Sequence, residues 1–408
     1  MITTERLPNG HTVNNDVGLT VVSGLRGAAC RTGVKPSADL DLAILVADKP
    51  MSAAGVFTRN AMAAPPVKLC RERLAASPYV RSLVINAGNA NALTGQQGLR
   101  DARLMVDTLE ACCGGTSLVL STGVIGVPLP AARICEGIKV ASYGLTPDFE
   151  PDFQHAMRTT DTCNKQASTS FKTAGNTFHV GGVAKGSGMI HPNMATMLAV
   201  VATDAPISPS HVQAMLPHVV DHSFHEISVD GDTSTNDSVL LFARKPEDAG
   251  EELSGEALEQ ATRAIGDVCR SLATQIVEDG EGATRIMEIT VAGARNVTDA
   301  RAVASAVACS SLVKTALAGG DPNWGRIMSA VGNAGVALSP EEVSLRLGDY
   351  EVVRRGAVQP VDAALLDKTF AGRRVNVQVT LGEGDAGARC LTTDLTKEYV
   401  AINADYTT

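Results

Sequence analysis

The sequence predicts a layered α+β protein in which helices cover sheets. Three observations carry this: apolar runs of strand length recur along the chain, amphipathic helical patterns separate them, and their order lacks the steady strand–helix alternation of a doubly wound sheet. At 408 residues, 44% hydrophobic and 19% charged, the chain has enough apolar surface to bury a large core. Its length permits two domains or one large unit. Aromatic residues make up only 3%, so the core is expected to consist of small side chains between closely spaced layers.

In chain order, buried or half-buried strands are expected at residues 83–86, 117–120, 238–242, 287–291 and 375–381, many bounded by Gly, Asn or Asp. Helices are expected at 98–113, 208–222, 255–277 and 301–318, where Ala, Leu, Ile and Val recur at three- and four-residue steps. No Pro-, Ser- or charge-rich linker divides the chain, and no repeat of solenoid length is visible. The nearest thing to a boundary is the Gly-rich segment 181–188, which runs through IHPNMAT into the apolar MLAVVA of 197–202.

A net charge of −9 disfavours nucleic acid and anionic membrane surfaces as partners, since both need basic patches. A small-molecule partner fits better. No run approaches the ~20 apolar residues of a membrane span, and MITTERLPNG lacks the pattern of a signal peptide, so a cytoplasmic location is expected. Nine cysteines without a C-x-x-C pair show no disulfide framework or zinc knuckle, and most read as small buried hydrophobes.

Several weaker signals point elsewhere and are set aside. His218 and His222 have helical i, i+4 spacing but no H-E-x-x-H context, so they read as a helix end, with no metal expected. The acidic 230–237 block, DGDTSTND, lacks the Gly and terminal Glu offsets of a calcium loop and reads as a structural turn near the active site. GEGDAG at 382–387 fits G-x-G-x-x-G, but its acids would repel a pyrophosphate and too little chain follows for a βαβ unit, so a hairpin turn is expected. Cys112 and Cys113 end a helix with no activating base in view.

Thr196 stands between the Gly-rich approach and a rigid apolar run. That placement suits a nucleophile held by the residues that follow it, although a lone Thr at such a boundary is more often a cap or turn residue. The wider sequence narrows the choice. The stretch 181–205, GGVAKGSGMIHPNMATMLAVVATDA, is accompanied in order by NAGNANALTG from Asn86, STGVIG from Ser121, TTDT from Thr159, DGDTSTND from Asp230, EDGEGAT from Glu278, GGDPNWGRI from Gly319 and INADYTT ending at Thr408. This set resembles the ornithine acetyltransferases of arginine biosynthesis, the glutamate N-acetyltransferase family, over essentially the whole chain.

The resemblance implies a layered α+β fold of the N-terminal-nucleophile type, cut by the chain itself between Ala195 and Thr196. Residues 1–195 and 196–408 would then be two chains of one intertwined unit, assembling as a heterotetramer of two copies of each. It implies Thr196 as nucleophile, Thr122 and Gly123 as oxyanion donors, and Thr159, Lys185, Glu281, Asn403 and Thr408, with Thr196, as substrate contacts. A Thr hydroxyl is a weak nucleophile, and the cut would place a free α-amine on the same residue as its base. Lys185 suits an α-carboxylate and Glu281 a cationic amine. The implied reaction moves acetyl from N2-acetyl-L-ornithine to L-glutamate without a cofactor, with acetyl-CoA a further acetyl donor. Two other readings remain at this point: a related N-terminal-nucleophile aminopeptidase, and a degenerate binding protein that no longer cuts.

Overall fold

The computed structural model describes residues 4–6, 12–37, 39–173, 175–191 and 197–405. Its strands, in chain order, are β1 (Thr4–Arg6), β2 (Thr12–Asn14), β3 (Leu25–Cys30), β4 (Leu42–Phe57), β5 (Tyr79–Asn89), β6 (Ser117–Val124), β7 (Lys165–Thr173), β8 (Asn176–Lys185), β9 (Leu198–Pro206), β10 (Ile227–Ser228), β11 (Ser238–Arg244), β12 (Ile286–Ala294), β13 (Ser344–Leu347), β14 (Tyr350–Arg354), β15 (Ala357–Val358), β16 (Arg374–Thr380) and β17 (Ala386–Thr393). They form two sheets, and helices pack on both. The architecture is the layered α+β fold expected from the sequence.

The first sheet runs β1-β2-β7-β8-β9-β11-β4-β5-β6, with β3 paired to β4 off that path. Its centre is apolar on both faces: Leu198, Val200, Leu240 and Phe242 join one core, while Ala199, Val201, Val239 and Leu241 join the other. That is the alternation of a strand covered on two sides. The helix Gly255–Glu278 closes one face through Ala264, Val268, Leu272 and Ile276. On the other face the helices Pro65–Ala76 and Gly95–Cys113 contribute Val67, Leu69, Met105 and Leu109.

The second sheet, β10-β17-β12-β16-β13-β14-β15, has its own core drawn from 287–390. Its tie to the first lobe includes the short parallel pairing of β10 with β17. All five expected strands lie within or across β5, β6, β11, β12 and β16.

Four details differ from the sequence expectation. The helix expected over 301–318 is two helices, Val297–Ala308 and Ser311–Gly319, set at 53°. Ser310 breaks the run by capping the second, its side chain accepting the Val313 amide. The GEGDAG loop does not close a hairpin, because β12 lies between β16 and β17. It crosses the end of β12 instead, where Gly293 packs against the Gly382 backbone, the Gly384 amide donates to the Gly293 carbonyl, and a Cβ on Gly384 would sit 2.1 Å from the Ala294 carbonyl oxygen. The Gly-rich approach is partly strand: Gly181 and Gly182 belong to β8, and Gly181 lacks a side chain where the Gly18 carbonyl oxygen would lie 2.0 Å from its Cβ. Finally, only Cys70, Cys135, Cys269 and Cys390 are fully buried; Cys112 is exposed and the rest are half-buried.

Candidate active site

The strands β5 and β6 run parallel and end side by side, with Ala87 opposite Thr122 and Gly88 opposite Gly123. Gly123 has φ +126, and a Cβ there would sit 2.3 Å from the Gly88 carbonyl carbon, so only Gly allows this close approach. Asparagines hold the strand end. The Asn236 amide donates to the carbonyls of Ala90 at 2.6 Å and Ser121 at 2.9 Å, and the Ser121 hydroxyl donates to Asn86 Oδ1 at 2.6 Å. These bonds satisfy buried backbone groups and leave little freedom to the Thr122–Gly123 turn.

Lys185 ends β8 with its ammonium buried against this turn. Its Nζ donates to Thr159 Oγ1 at 2.8 Å and lies 3.4 Å from Thr122 Oγ1 and 3.9 Å from Asp161 Oδ2. Asp161 is the centre of a buried charge network. It accepts from Lys165 at 2.7 Å and from the Gly186 amide at 2.6 Å, and Lys165 also donates to Asp279 at 2.5 Å. Burial alone would raise the Asp161 carboxyl, but Lys165 and Lys185 outweigh it and hold it below the usual carboxylate range. Burial lowers Lys185 below its ordinary value, opposed by Asp161, and Lys165 adds to the lowering.

Glu281 lines the same cavity as Lys185. Its carboxylate occupies the space a side chain at Gly188 would need, 2.3 to 2.5 Å from a Cβ built there, and it accepts from Asn403 Nδ2 at 2.8 Å. Asn403 and Tyr399 come from the helix Lys397–Asp405, which buries none of its residues. Tyr399 donates to Asp230 Oδ2 at 3.3 Å. Asp230 also receives the backbone amides of Met189 at 2.5 Å and Ile190 at 2.9 Å. Those bonds fix Met189 at φ +56, a left-handed conformation unusual for a long side chain, just upstream of the junction. Burial pushes the Asp230 carboxyl up to about 6 in spite of these donors.

Several of these groups line one cavity of about 120 Å³. Thr122, Gly123, Thr159, Lys185, Glu281 and Asn403, six residues expected at the site from the sequence, all face it. Ala195, Thr196 and Thr408 lie outside the described residues. The residue after Thr196 is placed: the Met197 amide donates to Asp237 Oδ1 at 3.2 Å, and its carbonyl accepts from Ser238. The 230–237 block, read from the sequence as a turn, lines the same cavity through Asp230, Asp232, Ser234, Thr235 and Asn236.

Sequence reasoning passed over Asp161, Asp230, Asn236, Asp237 and Tyr399 as members of the site. Asp161 sits inside TTDT and the 230–237 residues inside DGDTSTND, so both blocks carried the signal. Tyr399 carried none. A buried ammonium and a carboxylate that line one small cavity, together with a rigid Gly turn, can hold a zwitterion and present donors to a developing oxyanion.

The chain is similar to known proteins. A family model described as the ArgJ family matches residues 26–408. The arginine biosynthesis bifunctional protein ArgJ of Nitratidesulfovibrio vulgaris is 43% identical over 389 residues, covering 94% of this chain and 98% of that protein. Among solved structures, the arginine biosynthesis bifunctional protein ArgJ of Bacillus halodurans is 34% identical, covering 50% of this chain and 96% of that one, with a TM-score of 0.48. The ornithine acetyltransferase of Mycobacterium tuberculosis complexed with ornithine is 31% identical, covering 44% of this chain and 97% of that one, with a TM-score of 0.41.

Proposed function

Because this chain belongs to the ArgJ family, we propose that it is an acyltransferase of arginine biosynthesis that carries acetyl from N2-acetyl-L-ornithine to L-glutamate through an acetyl-Thr196 ester. The observation that supports this most is the single cavity lined by Lys185, Glu281 and the Thr122–Gly123 turn. An α-carboxylate meets Lys185, the distal amine of ornithine meets Glu281, and the acetyl carbonyl lies toward the turn.

The chemistry follows from these placements. The chain is cut at the Ala195–Thr196 bond, which gives Thr196 a free α-amine. Thr196 Oγ1 attacks the acetyl carbonyl while the α-amine takes the hydroxyl proton. Thr122 and Gly123 donate to the oxyanion, a contribution whose loss typically costs about 2.7 to 4 kcal/mol per donor. Collapse of the adduct breaks the amide bond; the proton passes to the departing nitrogen and ornithine leaves. The glutamate amine then attacks the acetyl ester, giving N-acetyl-L-glutamate and free Thr196. Acetyl-CoA serves as a second donor by the same attack on its thioester, with no cofactor needed. The two chains assemble as a heterotetramer in the cytoplasm.

The aminopeptidase reading differs in its acceptor, water in place of glutamate, and is not favoured. One experiment separates them. The protein is mixed with N2-acetylornithine alone and its denatured chains are weighed. An acetyl group on the fragment beginning at Thr196, discharged by glutamate, supports the transferase. Absence of that adduct, or its rapid loss to water before glutamate is added, contradicts it.

A further inference from the structure

The blocks NAGNANALTG and STGVIG meet where β5 and β6 end side by side, and beyond the Thr122–Gly123 turn their chains stay joined. The Ala90 amide donates to the Val124 carbonyl at 2.9 Å, and the Gly126 amide donates to the Ala92 carbonyl at 2.9 Å. Ile125 stands between these two bonds. The Ala90 carbonyl is itself held by the Asn236 side-chain amide at 2.6 Å. The Ile125 side chain packs on a small cluster of Ala64, Ala90 and Ala92, separate from the larger cores. Bonded main chain on both sides and alanines behind it leave this surface little freedom to retreat.

Ala90 and Ile125 both line the cavity. Among the described residues of that lining, only these two and Met189 carry side chains free of nitrogen and oxygen. Met189 follows Gly188, against which the Glu281 carboxylate packs, and its amide is held by Asp230. It therefore stands with Glu281 and Asp230, whereas Ala90 and Ile125 stand with the turn. A methyl group displaces water from whatever it touches, and only an apolar surface gives that water up without losing hydrogen bonds. In an acyl group the oxygen and the methyl sit on one carbon, so bond lengths keep them about 2.4 Å apart. An acyl oxygen received at the Thr122–Gly123 turn brings its methyl to the surface beside that turn.

We propose that Ala90 and Ile125 form the acyl-chain wall of the site, receiving the methyl of the acetyl group and excluding longer acyl groups. This rests on the transferase reading above, with Thr122 and Gly123 as oxyanion donors.

The test uses N2-formyl-, N2-acetyl- and N2-propionyl-L-ornithine as donors with L-glutamate as acceptor, and reads the ratios of kcat/KM within each protein preparation. Such ratios do not depend on the fraction of protein that is active. The wild type is expected to use the propionyl donor at least about tenfold less well than the acetyl donor, the low end of what one methylene contributes. Ile125→Ala enlarges the space, and its propionyl-to-acetyl ratio is expected to rise about tenfold or more. Ala90→Val fills the space, and its formyl-to-acetyl ratio is expected to rise by about the same factor. General damage to the site would not shift the two variants toward donors of opposite size. Ile125→Val moves the propionyl-to-acetyl ratio in the same direction as Ile125→Ala by a smaller factor, and serves where Ala90→Val does not fold. A wild type that uses the acetyl and propionyl donors equally, or variants that keep the wild-type ratios, overturns the wall and leaves the transferase reading standing. A wild type that transfers no acetyl from N2-acetylornithine overturns that reading and this proposal with it.

Discussion

Two charged residues of the site are shaped by burial in opposite ways. Lys185 is lowered by burial and held by the hydroxyls of Thr159 and Thr122 and by Asp161 at 3.9 Å, and the proposed substrate carboxylate would replace those hydroxyls. Asp230 is raised to about 6 by burial while it holds Met189, Ile190 and Tyr399. Its folded pKa lies above the ordinary carboxylate value of 3.8, so the folded chain binds this proton more tightly than the unfolded chain. The associated stability is therefore fully present below pH ~4 and lost as the pH rises through about 6, by about 3 kcal/mol in all, of which about 2 kcal/mol falls between pH 4.5 and 7. The expected outcome is that Asp230→Asn, which cannot titrate, lacks this component. Urea midpoints of both proteins at pH 4.5 and 7 measure it, and parallel pH dependences would show that Asp230 is not the group responsible. Asp230→Asn also faces the Met189 amide with a second donor, so the variant is less stable than the wild type at pH 4.5.

At the scale of elements, the legible parts were those whose burial is uniform. Runs such as Leu83 to Asn86 and Ser238 to Phe242 are apolar because both sides of the sheet are covered, and they were readable as strands for that reason. The longest strand, β4, was not, because exposed Asp48, Lys49 and Pro50 interrupt it where its register with β5 shifts between Val46 and Met51. The site divides in the same way. Six of the residues carried by the family resemblance line the cavity, whereas Asp230 and Tyr399, and Asp161 through Gly186 and Lys185, pair with partners distant in sequence, which spacing does not record. The helix Lys397–Asp405 makes the point most sharply. It has nine residues and no buried side chain, too little to be stable alone. Its ties include Thr396 to the Gly282 carbonyl, Tyr399 to Asp230, and Asn403 to Glu281. Gly282 has φ +63, and a Cβ there would lie 2.5 Å from the Tyr399 nitrogen. Gly282→Ala is therefore expected to push the helix off the cavity without unfolding the core. KM for N2-acetylornithine should rise about tenfold, the value for one or two lost polar contacts, with little change in melting temperature. Ending the chain after Leu395 should do the same, and an unchanged KM in both would remove this helix from the site.

For the whole molecule, the decisive feature is where the proposed cut falls in the first sheet. The strands on the N-terminal side are β1 to β8, and those on the C-terminal side begin with β9. Yet β9 pairs with β8, and β11 lies between β9 and β4. Two strands from after the junction are thus inserted between strands from before it, each bonded to a neighbour of the other origin. Both cores mix the two sides as well: Leu198 and Leu240 pack with Leu42 and Ile44, and Ala167 and Val180 pack with Val201 and Val268. Breaking one peptide bond removes none of these contacts, so the cut chains cannot part without dismantling the sheet. The expected result is two species, residues 1–195 and 196–408, in denaturing mass spectrometry, and one inseparable assembly under native conditions. The interleaved sheet should melt in the same transition whether or not the chain is cut, because its cooperativity comes from packing across the junction. Thr196→Ala supplies the uncut comparison. It should remain a single chain without transferase activity, and its melting curve should have the same number of transitions. If Thr196→Ala were cut as the wild type is, the junction would be wrongly placed; if the wild-type fragments separated on a native column, the sheet order described above could not be right.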